Sequence, residues 1–126
     1  VIRVGSSVVL PTVGAGYEGR LRTQRQALAE RFCFWRGVSG SRYVCSVFSP
    51  GAVPPFSPAV ALHVRRGRRG PELVAVTAGA DVDPQSGADE VHLHLVRGGA
   101  DAQARALRDL RGLIEIRPNV IELRAA

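Results

Sequence analysis

The fold turns on Ala59-Val60-Ala61-Leu62-His63-Val64, followed by Arg65-Arg66-Gly67-Arg68-Arg69-Gly70-Pro71 and then by Glu72-Leu73-Val74-Ala75-Val76-Thr77. Two short apolar runs rich in valine flank a segment of arginine, glycine and proline, the pattern of a β-hairpin with a polar turn. Residues 59–64 and 72–77 are therefore expected to be the arms, and Arg65 to Pro71 the turn. A second hairpin pattern precedes it. Phe32-Cys33-Phe34-Trp35-Arg36 reads as a strand, Gly37 to Ser41 as a turn, and Arg42 to Phe48 as the returning strand. Between the hairpins, Pro50, Pro54, Pro55 and Pro58 make residues 49–58 a loop, since each proline removes a ladder donor.

Outward from this pair, residues 78–88 are rich in Gly, Asp and Pro and read as loop, and residues 89–96 as a strand. Asp101 is placed to cap a helix to about Leu113, with Ala106, Leu107, Leu110, Leu113 and Ile114 inward. Pro118 is expected to stop that helix, and Val120 to Leu123 to add an edge strand. On the N-terminal side, residues 1–10 read as a strand and Pro11 to Gly16 as a loop. A helix is expected from Tyr17 to about Phe32, its apolar stripe formed by Tyr17, Leu21, Leu28 and Phe32. The expected fold is one small α+β domain, a mixed and mostly antiparallel sheet built from two hairpins with two packed helices. It spans residues 1–126, with a core over 34–123 and an N-terminal strand-and-helix extension over 1–33.

A chain of 126 residues, 45% apolar and 22% charged, has the size and composition to bury a core without metal or disulfide staples. No apolar run approaches the roughly 18–20 residues a membrane helix needs, and no signal-cleavage pattern stands at the start, so a cytoplasmic protein is expected. The formal net charge is +6, and all 17 basic residues are arginine. Guanidinium groups make planar two-pronged contacts with phosphate and carboxylate, so this surface suits a nucleic acid or an acidic protein partner. Coding bias in a GC-rich genome, which favours Arg, Ala, Gly and Val together, explains the absence of lysine without any function.

The densest charge run is Arg65, Arg66, Arg68 and Arg69, a candidate surface for phosphates or an acidic partner, with a solvated turn as the plain alternative. Arg20, Arg22, Arg25 and Arg31 could widen that patch, and Trp35 and Tyr43 could stack on bases, although both sit in apolar strands. His92 and His94 alternate onto one strand face with Glu90, and His63 lies in a strand that could neighbour theirs. Those three histidines are the candidates for a metal site, against the reading of a half-exposed strand face carrying polar residues. Cys33 and Cys45 are equidistant from Ser39, so a symmetric hairpin sets them opposite each other, close enough for a disulfide. In a cytosolic chain such a pair ordinarily stays reduced and packs as small apolar groups. Gly14-Ala15-Gly16 lacks the spacing of a nucleotide-binding turn, and Ser39 and Ser41 are turn residues. No cofactor is expected.

The hairpin over 59–77, the strand Glu90-Val91-His92-Leu93-His94-Leu95, the helix, and then Leu113-Ile114 and Arg117-Pro118-Asn119 together resemble the GIY-YIG nuclease superfamily. The resemblance is closest to its small bacterial members, whose hairpin is preceded by an aromatic Gly-Ser-Arg-Tyr strand pair like Phe34-Trp35 with Gly40-Ser41-Arg42-Tyr43. It implies a tyrosine in each hairpin strand, an arginine on the next helix and a metal-holding glutamate on the one after. Those places fall near Ala61, near Val74, in the arginine-free loop Gly79 to Ala88, and near Leu107. Phosphodiester cleavage needs an activated nucleophile and a cation at the developing charge, which alanine, valine and leucine cannot supply. The resemblance therefore implies a noncatalytic protein; since no aromatic-and-basic binding motif is legible, the expected role is a protein-interaction or structural subunit, as a homo-oligomer or within a larger assembly. The alternatives are a basic nucleic-acid-binding module and a residual metal-dependent hydrolase.

Overall fold

The computed structural model describes residues 15–20, 31–79, 81–83 and 85–125, with side chains in the final helix described through residue 115. The strand expected over residues 1–10 lies outside the described residues, as does most of the expected first helix, with Leu21, Arg22, Arg25 and Leu28. Among the described residues there are six strands: β1 (Gly16–Arg20), β2 (Phe32–Arg36), β3 (Arg42–Phe48), β4 (Ala59–Gly67), β5 (Gly70–Ala78) and β6 (Glu90–Leu95). The helix α1 (Ala100–Ala125) follows.

The strands form one sheet in the order β1-β2-β3-β6-β4-β5, and every described pairing is antiparallel. The α+β class and the antiparallel character agree with the sequence, whereas a mixed sheet does not. The chain returns as β6 into the gap between β3 and β4, antiparallel to both, so no parallel crossover is needed. Both expected hairpin pairings form, with Cys33 opposite Cys45 and Leu62 opposite Val76.

β4 explains its own sequence. Residues 59–64 are buried without a break because both faces of the strand are covered. Val60, Leu62 and Val64 pack with Leu73, Val76, Ala106 and Leu110 on the helix side. Ala59 and Ala61 pack with Val91 and Leu93 on the other side, under Phe48, Val53 and Val82. A strand covered on both faces reads as a continuous apolar run rather than an alternation.

Three expectations are corrected. Tyr17 begins no helix; it lies in β1, where Gly19 holds a φ of 110° beside a register shift. That backbone is foreign to a helix and open to glycine, and the strand lets Tyr17 set its ring edge-on to Trp35 at 5.4 Å. Pro118 does not stop α1, and Val120 to Leu123 is helical rather than an edge strand. A proline inside a helix removes a single i→i−4 bond, and the turns on either side carry the helix across it. The β4–β5 turn is also shorter than expected, because Arg65 and Arg66 continue β4 and only Arg68 and Arg69 connect Gly67 to Gly70.

α1 meets the β2–β3 turn closely. A side chain at Gly37 would run into the Asp109 carboxylate, which would have to give way. Asp109 accepts from Ser39 N and Oγ, both at 2.7 Å, and from the Tyr43 hydroxyl at 2.6 Å. Among the described residues no helix is long and apolar enough to cross a membrane.

Candidate functional site

The sheet curls. β2 and β3 separate β1 from β6, yet Arg20 of β1 reaches both carboxylate oxygens of Glu90 of β6 at 3.1 Å. The concave side of that curl gathers polar side chains from four strands, because alternation and register bring Cys33, Trp35, Cys45, Glu90, His92 and Arg66 to one face.

His92 is its centre and is fully buried. Its Nδ1 receives the Trp35 indole N–H at 2.9 Å and lies 3.2 Å from Cys33 Sγ, while its Nε2 lies 2.9 Å from Glu90 Oε1. An indole nitrogen can only donate, so Nδ1 is an acceptor and the proton of the neutral ring sits on Nε2, donated to Glu90. Glu90 in turn accepts from Arg66 at 2.6 Å as well as from Arg20. Burial raises the Glu90 carboxyl, but His92, Arg66 and Arg20 together outweigh it and hold the group down to about 2.

The two thiols are not equivalent. Cys33 is pulled below the ordinary thiol range by the Cys45 hydrogen bond, against burial, with further help from His92 and Arg20. Cys45, with Cys33 as its partner and burial around it, is pushed well up. Both are unbridged and buried. At the open end of this face lies a cavity of about 520 Å³ lined by Val47, Phe48, Ser49, Arg66, Asp89 and Glu90.

The basic run divides at the turn. Arg65 pairs with Glu72 at 3.1 Å and Arg66 with Glu90. Arg68 and Arg69 are exposed at the two-residue connection and make no ion pair with any described residue. Of the wider basic set, Arg20 is turned inward onto Glu90.

The structure does not bring the three histidines together. His63 pairs in register with Val91 and so faces away from His92; its Nε2 accepts from Asp83 N at 2.9 Å, and its buried Nδ1 has no partner among the described residues. His94 holds Val44 O through Nδ1 at 2.9 Å and packs edge-on against Tyr43. No group of three or more His, Cys, Asp or Glu among the described residues converges as a metal cage. Trp35 is 3% exposed beneath Tyr17, so it offers no platform for a base.

No family model, curated protein or solved structure matches the chain. The positions at which the GIY-YIG resemblance expects reactive groups are packing positions here. Ala61 is fully buried, Val74 is the extra residue of the β4–β5 bulge, and Leu107 packs against the core.

The buried connection from Cys33 through His92 to Glu90 is not legible in the sequence as a whole. Its parts were visible: the symmetric cysteines, and Glu90 and His92 alternating onto one face. The missing piece is the pairing of β6 with β3, which joins segments separated by the whole β4–β5 hairpin and leaves no local trace.

Proposed function

We propose that this chain is a noncatalytic interaction module, on a degenerate GIY-YIG-like scaffold, that grips an acidic protein partner through the tip of the β4–β5 hairpin. The observation that carries this reading is the contrast within the arginine run. Arg65 and Arg66 are neutralised by Glu72 and Glu90, whereas Arg68 and Arg69 stand exposed at a two-residue turn between paired strands with no ion pair among the described residues. Two fork-shaped donors on a short turn between paired strands suit carboxylates, and the ordering that binding requires falls on their side chains rather than on the backbone. Apolar side chains at Ala61, Val74 and Leu107 support the noncatalytic part of the reading.

A nucleic acid is the second reading, favoured by the net charge of +6. Magnitude argues against it. Two phosphate contacts would give a salt slope of only about −2. The deciding experiment is titration of an acidic peptide and of a mixed-sequence duplex across a salt series, with wild type and with R68S/R69S. Acidic-peptide binding that the double variant weakens about tenfold fits loss of two charge-assisted contacts. Peptide affinity unchanged in the variant removes the tip from the function. Duplex binding with a steep salt slope and no peptide binding establishes the second reading instead.

A further inference from the structure

The buried polar cluster on the concave face is not used by an arginine-tipped interaction module, yet it has the organisation of a thiol site. Cys33 and Cys45 are direct register partners on adjacent antiparallel strands and share a face. Partners of this kind have Cα atoms about 4.5–5.5 Å apart, inside the range that a disulfide spans. Only Cys33 has polar support: Nδ1 of His92 at 3.2 Å, with that ring held by Glu90 at 2.9 Å, and Arg20 of β1 placed opposite Cys33 in register. Among the described residues Cys45 has Cys33 as its polar partner, with burial around it.

We propose that Cys33 and Cys45 form a cross-strand dithiol that reduces a small hydroperoxide, one equivalent per chain, with Cys33 as the attacking sulfur and Cys45 as the resolving one. The Cys33 sulfur attacks the terminal oxygen of the hydroperoxide and gives up its proton as it does so. The O–O bond breaks, Cys33 becomes a sulfenic acid, and the leaving alkoxide takes up the proton as an alcohol, or as water when the oxidant is hydrogen peroxide. Cys45 then attacks the Cys33 sulfur. The S–S bond forms, the S–O bond breaks, and the departing hydroxide leaves as water with the Cys45 proton. Two thiols and one hydroperoxide thus become one disulfide, one alcohol and one water, the two sulfurs giving up the two electrons that the peroxide accepts. A dithiol reductant reverses the bridge by exchange.

Complete burial of both sulfurs selects the oxidant by size. Beside Cys33 runs β1, five residues whose described pairing is with β2, and the cavity at the end of the same face is lined in part by Val47, the register partner of His92. The reaction therefore calls for an oxidant as small as hydrogen peroxide and disfavours a bulky aromatic thiol reagent.

The test is peroxide treatment of the fully reduced, folded chain, with near-ultraviolet dichroism of the buried Trp35 reporting the fold and peptide mapping reporting the sulfurs. Wild type should consume one equivalent and yield the Cys33–Cys45 bridge, while reacting at least about tenfold more slowly with a bulky aromatic disulfide than an unfolded control. Cys45→Ser should accumulate a sulfenic acid at Cys33 that dimedone captures. Cys33→Ser should lose the reaction. Peroxide that consumes no thiol in folded wild type overturns the proposal, as does Cys33→Ser reacting at the wild-type rate. Should either variant fail to fold, dimedone competition on wild type alone decides: label on Cys33 supports the assignment, and label on Cys45 overturns it.

Discussion

Trp35 donates its indole N–H to Nδ1 of His92 at 2.9 Å, the same nitrogen that Cys33 Sγ approaches at 3.2 Å. One lone pair thus faces two donors. The indole fixes the ring so that Nε2 carries the proton toward Glu90, and it competes with the thiol for Nδ1. Nitrogen NMR of His92 should therefore show Nε2–H as the tautomer of the neutral ring. Trp35→Phe keeps an aromatic ring in the core but withdraws the competing donor, so the Cys33 proton gains an acceptor. Peroxide reactivity of Cys33 should rise several-fold in that variant; a fall, with the fold retained, would show that the indole assists the thiol rather than restraining it.

The pair at the other end of the ring sets an acid limit. Glu90 is held down to about 2 in the folded chain, against a model-peptide value of 4.5. A carboxyl depressed on folding stabilises the fold above its unfolded value and loses that contribution as pH falls through the folded value. Stability should therefore decline between about pH 4.5 and about pH 2, by an amount on the order of 3 kcal/mol at most. The exposure of Arg66, 73% for its side chain, means that part of this is screened by salt. Glu90→Gln should flatten that limb of a pH-dependent melting series, and an unchanged limb would assign it to other carboxyls.

The tip arginines should separate binding from stability. Arg68→Ser with Arg69→Ser removes two exposed groups with no described partner, so the folding free energy should stay within about 0.5 kcal/mol of wild type. Leu110→Ala, by contrast, empties a fully buried position between α1 and β5 and should cost about 2–5 kcal/mol. Chemical denaturation of the two variants side by side checks both, and a tip variant as unstable as the core one would make the tip structural.

What the sequence made legible was local. The hairpins declared themselves because each needs only a turn and two flanking runs, and Cys33 met Cys45 because symmetry about Ser39 is a property of adjacent residues. The position of β6, the curl that carries Arg20 onto Glu90, and the opposed faces of His63 and His92 depend on strand order, which no local period encodes. At Tyr17 a helical stripe competed with tertiary contacts, and Gly19 with the Trp35 edge decided for a strand. At Pro118 a single missing donor was outweighed by the helical turns around it.

Asp109 provides the last test, because it ties α1 to the β2–β3 turn through Ser39 and Tyr43 together. The Tyr43 phenol is pushed up, first by burial and then by the Asp109 carboxylate that accepts its proton bond. Removing the negative charge alone should lower that phenol toward its ordinary range without reaching it, since burial remains. Asp109→Asn keeps an acceptor and the shape, so it should show the lowered titration with little loss of stability. Asp109→Ala strands the hydroxyl and the Ser39 N–H and should cost about 1–3 kcal/mol in addition. Ultraviolet titration of the tyrosines, with Tyr17 resolved by a Tyr17→Phe background, reads the first effect, and urea denaturation reads the second. A Tyr43 titration that does not move in Asp109→Asn would place the whole of its shift in burial and leave the carboxylate as a tether for the turn.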